Sequence, residues 1–149
     1  MQMLKGLACA AVLAFAGAAQ AQTVNVDELA ARWTAAYNQA SADAVANLYS
    51  PNAELYVHGD QRYVGRTDIR AYWAEDMGVK NPLTVLTVTD SVVDPEMVLV
   101  HGNYQVLNRL TGVPQGFGRF AHIWVKDAQG AWRLDRDLWN QPAASAAKR

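Results

Sequence analysis

Residues 83–93 read LTVLTVTDSVV, a stretch in which valine and threonine dominate and apolar side chains recur about every second residue. Both residue types are β-branched, and this composition with a period near two is typical of a β-strand. The same pattern returns three times, after the turn-forming segments DPE, TGVPQG and DAQG. The sequence therefore predicts four consecutive antiparallel strands, at 83–93, 96–110, 117–127 and 131–140.

Before Pro82 the sequence mainly predicts helices. Apolar residues there recur with helical spacing, and Asn25 and Glu28 are spaced as a capping box. Helices followed by an antiparallel sheet predict an α+β fold with the helices packed on one face of the sheet. The predicted helices are NVDELAARWTAAYNQ (25–39), SADAVANLYS (41–50, ended by Pro51) and TDIRAYWAEDM (67–77), and the short strands AELYVHG (53–59) and RYVG (62–65) lie between the last two.

The first residues have the pattern of a secretory signal peptide. Lys5 lies in a short basic segment, LACAAVLAFAGAA (7–19) is apolar, and Ala19-Gln20-Ala21 is an A-x-A cleavage site. The apolar run is too short to span a bilayer. We therefore expect residues 1–21 to be removed, leaving a periplasmic or secreted protein that is not bound to the membrane. The one cysteine, Cys9, would leave with this segment, so no disulfide and no cysteine-ligated metal are expected.

The remaining chain, 22–149, has the length of a single domain, with a core at 27–140 and a flexible tail at 141–149. The whole sequence has 13 basic and 14 acidic side chains and a formal net charge of −1, with no basic block, so nucleic acid is not an expected partner. It contains no phosphate-binding or dinucleotide-binding fingerprint, and its three histidines lack the spacing of a metal site. We expect neither a cofactor nor a metal.

Three segments resemble the nuclear transport factor 2-like superfamily, and especially its SnoaL-like and ketosteroid-isomerase-like branches, which include secreted bacterial members. These segments are WTAAYNQASADAVANLYSPNAELYVHG (33–59), GRTDIRAYW (65–73) and WVKDAQGAWRLDRDLWN (124–140). The resemblance implies a cone-shaped, curved antiparallel sheet wrapped around three N-terminal helices, the cystatin-like roll, with a hydrophobic pocket at the open end of the cone. The superfamily hosts enzymes, binding proteins and association domains, so the fold alone does not identify the function.

The residues of the steroid isomerases that act in catalysis are missing. Those enzymes place a tyrosine on the first helix, an aspartate after the second helix and a protonated aspartate on a late strand. The corresponding positions here are Trp33, Val57 and Ala121. Steroid isomerisation by that mechanism is therefore not expected.

Successive side chains of a strand point to opposite faces of the sheet, and the resemblance implies which of the two faces lines the pocket. Together they predict which side chains face the pocket. Asp137 is a candidate general base, and His58, at a strand end, is a second one. Arg119 is a candidate anchor for a ligand anion, or the ion-pair partner of Asp137 inside the cone. Tyr104 is a second candidate for stabilising a substrate oxygen. The remaining predicted ligand-binding residues are Trp33, Tyr37, Tyr72, Asp135 and Trp139.

The same alternation turns a second set of side chains to the outer face of the sheet. His101 and His122 fall in this set and are expected at a surface or an interface. The apolar members would form a patch that the helices do not cover, which predicts a homodimer through the sheet. They are Phe120, Trp124, Trp132, Leu134 and Leu138.

Three hypotheses about function remain open. The first is a periplasmic, cofactor-independent isomerase, dehydratase or cyclase that transfers a proton on a small apolar carbonyl compound or acid. The second is a non-catalytic protein that binds a small hydrophobic or anionic molecule in the same pocket. The third is a dimeric association module that retains the pocket without using it.

Overall fold

The second half of the chain forms four long strands of one curved, six-stranded sheet. The computed structural model describes residues 24–80 and 82–141, so the predicted signal peptide and nearly all of the predicted tail lie outside the described residues. Along the sheet the strands follow the order β2-β1-β6-β5-β4-β3. The strands are β1 (Tyr49–Tyr56), β2 (Arg62–Val64), β3 (Leu83–Val93), β4 (Met97–Leu107), β5 (Pro114–Lys126) and β6 (Trp132–Asn140).

The fold has three helices in the described residues: α1 (Val26–Asn38), α2 (Ala42–Ala46), which packs against the other two, and α3 (Gly65–Lys80). The side chain of Asn25 caps α1 by accepting hydrogen bonds from the backbone N–H groups of Asp27 and Glu28, at 3.1 and 3.3 Å. Helix α1 contacts β3, and α3 contacts β1. The α+β architecture predicted from the sequence is confirmed. Within the described residues, no helix is long and apolar enough to cross a membrane.

The second predicted helix ends earlier than expected. It stops at Ala46, β1 begins at Tyr49, and Pro51 lies inside that strand instead of terminating the helix. Tyr49 pairs with Leu134 of β6 in a parallel arrangement, and the N–H of Leu134 donates to the carbonyl of Leu48 at 2.8 Å. This tertiary pairing overrides the local helical pattern. It also makes the sheet mixed, because the other strand pairs are antiparallel.

The orientation predicted for β5 is wrong. Phe120, His122 and Trp124 face the helices and are buried, whereas Arg119 is exposed on the outer face. Residues that are paired across a ladder share a face, and Phe120 pairs with Gly102, which lies two residues before Tyr104 on β4 and so shares the inward face that was predicted correctly for Tyr104. The phase taken from the family resemblance was therefore one residue out of register with the neighbouring strand.

A bulge explains the mixed outcome in β6. Ile123 pairs with Arg136 and Trp124 pairs with Leu134, so Asp135 is an extra residue in β6. Leu134 and Asp137 consequently both face inward, although strict alternation places them on opposite faces. The predicted outer apolar patch is corrected accordingly, because Phe120, Trp124 and Leu134 belong to the core.

Candidate functional site

A cavity of about 420 Å³ opens between α1, α3 and the inner face of the sheet. This volume lies within the range that small-molecule pockets commonly have. Six of its fifteen lining residues are aromatic, and they come from two helices and two strands. They are Trp33, Tyr37, Tyr72, Trp73, Tyr104 and Trp139, which we call the aromatic wall.

Helical spacing and close ring packing hold the aromatic wall in place. Trp33 and Tyr37 are four residues apart on α1, and their rings stack with centroids 5.0 Å apart and planes 13° apart. Trp139 of β6 packs 4.8 Å from Trp33, and Tyr104 of β4 packs edge-on against Trp139 at 5.1 Å. These contacts fix the rings, so the cavity is largely preformed.

One carboxylate, that of Asp76, lines the cavity beside the aromatic wall. Asp76 lies four residues after Tyr72 and three after Trp73 on α3, which places all three on the same helix face. The hydroxyl of Tyr37 donates a hydrogen bond to Oδ2 of Asp76. Among the described residues, no group donates a hydrogen bond to Oδ1, which is left available to a ligand.

The tyrosines of the wall remain hydrogen-bond donors at neutral pH. Burial raises the pKa of Tyr37 well above its usual value, and the hydrogen bond to Asp76 and the negative charge of Asp76 raise it further. Burial also raises the pKa of Tyr72 and that of Tyr104. The hydroxyls of Tyr72 and Tyr104 can therefore stabilise a ligand oxygen that becomes negatively charged, whereas that of Tyr37 donates to Asp76.

A second polar cluster lies beneath the cavity, sealed from solvent. Tyr49, His122 and Asp137 are each 0% exposed. The hydroxyl of Tyr49 donates to Oδ2 of Asp137 and accepts from the indole N–H groups of Trp73, at 2.9 Å, and Trp33, at 3.4 Å. Two rings of the aromatic wall therefore rest on this cluster through their N–H groups.

His122 completes the sealed cluster without a well-formed hydrogen bond. Its Nε2 lies 3.2 Å from Oδ1 of Asp137, yet neither atom has a hydrogen-bond partner of good geometry among the described residues. Burial raises the pKa of Tyr49 well above its usual range, as does the charge of Asp137. The Tyr49 hydroxyl therefore stays protonated and keeps donating to Asp137.

The structure brings most of the predicted ligand-binding residues together. Trp33, Tyr37, Tyr72, Tyr104 and Trp139 all line the cavity, and His58 lies at its exposed edge.

Two predicted positions are wrong. Arg119 points to the outer face because of the orientation of β5, so the predicted ion pair with Asp137 does not form. Asp135, at the bulge, lies outside the cavity lining; it accepts a hydrogen bond from Ser50 and pairs with Arg136. Asp137 faces inward as predicted but lies below the cavity wall. Whether Asp137 or His58 acts as a base stays a prediction.

Asp76 is the residue that the sequence prediction missed. Asp76 lies four residues after Tyr72, a predicted ligand-binding residue, in the predicted helix 67–77, and this spacing places both on one helix face. An acidic residue in an aromatic helix stripe was the available signal.

Comparison with known proteins supports the fold and its family. The sequence matches the family described as the SnoaL-like domain over residues 30–134. No curated protein matches the chain. A domain of unknown function with a cystatin-like fold from Nostoc punctiforme is 17% identical, with a TM-score of 0.70 over 82% of this chain and 81% of its own.

Two further solved structures have the same fold. An NTF2-like protein of unknown function from Pseudomonas putida KT2440 is 16% identical, with a TM-score of 0.68 over 83% of this chain and 89% of its own. A ketosteroid isomerase-like protein from Erwinia carotovora atroseptica is 18% identical, with a TM-score of 0.65 over 80% of this chain and 95% of its own. Identities this low establish a shared fold and no shared activity. The suspected superfamily is confirmed, and since the family match spans most of the chain, this protein belongs to the SnoaL-like domain family.

Proposed function

We propose that this protein binds a small molecule in the aromatic cavity and transfers a proton on it, with Asp76 as the base. The observation that supports this most directly is the position of Asp76. Asp76 lines a preformed pocket, its Oδ2 is held by Tyr37, and its Oδ1 has no protein donor among the described residues. A positioned carboxylate of this kind is a competent general base.

The proposed step needs no cofactor. A C–H bond of the substrate breaks, its electron pair stays on the substrate, and the proton forms an O–H bond with Oδ1 of Asp76. Return of the proton to another carbon completes an isomerisation. The hydroxyl of Tyr72 or Tyr104, kept protonated by burial, stabilises the negative charge that develops on a substrate oxygen.

Asp137 has a supporting role in this proposal. It is 0% exposed, and its hydrogen bond with Tyr49 links it to the indole groups of Trp33 and Trp73 in the cavity wall. His58, at the exposed edge, remains the second candidate base.

A specific observation favours non-catalytic binding as the second candidate function. Val57 lines the cavity at the position where the resemblance to the isomerases places their catalytic aspartate. The pocket without that acid would still enclose an apolar ligand.

The test is to identify the molecule retained by protein purified from periplasm, by native mass spectrometry, and to follow its hydrogen–deuterium exchange by NMR. Wild-type protein should catalyse exchange of a carbon-bound hydrogen, and Asp76→Asn should slow it by about a hundredfold or more. Glu75→Gln, which removes the same charge from the neighbouring exposed position, should leave the rate unchanged. A retained molecule that does not exchange with wild-type protein would leave only the binding function.

We also propose that residues 1–21 direct the chain to the periplasm and are removed there. The predicted A-x-A site supports cleavage before Gln22. Intact-mass measurement of the periplasmic protein should give a chain that begins at Gln22.

A homodimer through the outer face of the sheet is proposed as well. The exposed apolar side chains on this face include Val85, Phe117 and Leu138. Val85 and Phe117 each pair with Gln105 of β4, so they lie on the same face of the sheet. Light scattering should report a dimer, and Phe117→Lys combined with Leu138→Lys should dissociate it.

A further inference from the structure

The cavity lining combines aromatic rings with a negative charge. It combines the six rings of the aromatic wall with the carboxylate of Asp76, and none of its described lining residues is a lysine or an arginine. His58, at the exposed edge, is the one other titratable group of the lining besides the tyrosines. The wall therefore offers a ligand negative charge and ring faces, without a fixed positive charge to pair with an anion.

The carboxylates near the wall also favour a positively charged ligand. The pKa of Tyr72 is raised first by burial and then by negative charge, with contributions from Asp76 and from Asp137 beneath the wall. Arg109 lies near the cavity, where its guanidinium donates to the carbonyl oxygens of Asn38 and of the lining residue Pro82 at 2.9 and 3.1 Å. The carboxylates that raise the pKa of Tyr72 are negatively charged, so the space beside Tyr72 favours a cation.

Aromatic ring faces attract cations. The face of an indole or phenol ring carries a partial negative charge, and a cation within about 6 Å of the ring centroid is attracted to it, most strongly where water is excluded. In this cavity several rings surround one space, and the open Oδ1 of Asp76 borders it. Such a combination of aromatic rings and one carboxylate suits an ammonium group with an apolar body.

We propose that the ligand of this cavity is a small organic cation, an amine or a quaternary ammonium compound, with its positive charge beside Asp76 and its apolar part against Trp33, Trp73 and Trp139. This inference rests on the proposed function and names its substrate class. It replaces the anionic ligand expected from the sequence, because Arg119, the predicted anchor for an anion, lies on the outer face. It also suits proton transfer from carbon, because removal of a C–H proton from a cationic substrate leaves a substrate without net charge and a neutral Asp76 carboxyl.

The test compares two probes of the same shape, phenyltrimethylammonium and tert-butylbenzene, which differ in one positive charge. Binding to the full chain is measured by quenching of tryptophan fluorescence, since three tryptophans line the cavity. The cation should bind at least about tenfold more tightly than the neutral probe. Asp76→Asn should weaken the cation about tenfold and leave the neutral probe unaffected, whereas Glu75→Gln, a matched loss of charge outside the cavity, should change neither.

The outcomes separate this inference from the proposed function. If the neutral probe binds as tightly as the cation, the cationic ligand is refuted while the small-molecule pocket stands. If the cation binds but neither Asp76→Asn nor Trp139→Ala weakens it, it binds elsewhere, and the inference is refuted. If neither probe binds, the proposed function fails together with the inference. Thermal unfolding of each variant shows that a loss of binding is not a loss of fold.

Discussion

The inner side of this protein contains two tyrosine–aspartate pairs that differ in their access to solvent. Tyr49 donates to Asp137 in the sealed cluster, where both side chains are 0% exposed. Tyr37 donates to Asp76 at the cavity, where Asp76 is half-buried and keeps one oxygen without a protein donor among the described residues. The same two functional groups therefore occur once as a closed structural unit and once as an open one.

The comparison teaches that burial decides what a carboxylate can do. A sealed carboxylate must have its partners inside the protein, so its removal leaves groups that water cannot reach. A half-buried carboxylate can exchange a protein partner for water or a ligand. Asp137 is therefore expected to matter mainly for stability, and Asp76 mainly for function.

The largest expected effect comes from Asp137→Ala. This change removes the acceptor of Tyr49 and the neighbour of His122 within a fully buried cluster. The free energy of unfolding, measured by urea denaturation, should fall by about 3–5 kcal/mol. Asp76→Ala, which removes one hydrogen bond at a half-buried position, should cost only about 1 kcal/mol. Equal losses in the two variants would remove the distinction between the pairs.

The more conservative substitution Asp137→Asn tests the same comparison between the two tyrosine–aspartate pairs. The amide oxygen can still accept from Tyr49, so the expected loss is smaller, about 1–3 kcal/mol. If Asp137 is itself the base, this variant should abolish hydrogen exchange in the retained ligand with little loss of stability. That result would transfer the catalytic role from Asp76 to Asp137.

Gly118→Ala should disturb the aromatic wall of the cavity and leave the sealed cluster of Tyr49, His122 and Asp137 intact. A Cβ atom on Gly118 would lie 2.0 Å from the carbonyl oxygen of Asn140 and 2.6 Å from Cε1 of Tyr104, so both the β6 backbone at Asn140 and the ring of Tyr104 must shift. We expect a loss of about 1–3 kcal/mol in stability, with weaker binding of the cationic probe. Gly116→Ala is the matched control, because its Cβ would meet no atom closer than 3.8 Å. Similar behaviour of the two variants would contradict a specific role for the Tyr104 ring.

The sequence predicts the fold well because its strand pattern is long and regular. The strand at 83–93 and the α+β order of the elements follow from patterns of residues close in the chain. The parallel pairing of β1 with β6 joins Tyr49 to Leu134, two residues that are far apart in sequence, and no local pattern indicates it. The length of helix α2 was overestimated for the same reason.

The site was predicted in part, and its errors arise in two strands and one helix. The aromatic residues were located because their helical spacing is preserved in the structure. Arg119 was misplaced because the phase predicted for β5 was one residue out, and Asp135 because it is the extra residue of a bulge in β6, which strict alternation does not anticipate. Asp76 was missed because an acidic residue on a helix is commonly a solvent-exposed one.

Alkaline pH offers a test of the sealed pair. The pKa of Tyr49 is raised well above 10.0 in the folded protein, so between pH 10 and that raised value only the unfolded chain releases the proton. The stabilisation by Tyr49 is complete below pH 10 and is lost as the pH rises towards the folded pKa. The stability advantage of wild type over Tyr49→Phe should therefore shrink by about 1.4 kcal/mol for each pH unit above 10, in urea unfolding at several pH values. An advantage that stays constant would show that Tyr49 ionises equally in both states.

The smallest expected effect on stability belongs to Tyr37→Phe, at the open pair. The ring would keep its stacking on Trp33, and only the hydrogen bond to Asp76 would be lost, which should lower the free energy of unfolding by about 0.5–1.5 kcal/mol. Because both oxygens of Asp76 would then lack a protein donor, the carboxylate should become a stronger base and a better partner for a cation. We therefore expect the phenyltrimethylammonium probe to bind at least as tightly to Tyr37→Phe as to wild type, while Tyr49→Phe loses more stability. Weaker binding to Tyr37→Phe would mean that the Tyr37 hydroxyl positions Asp76 for its ligand, and that the open pair, like the sealed one, works as a unit.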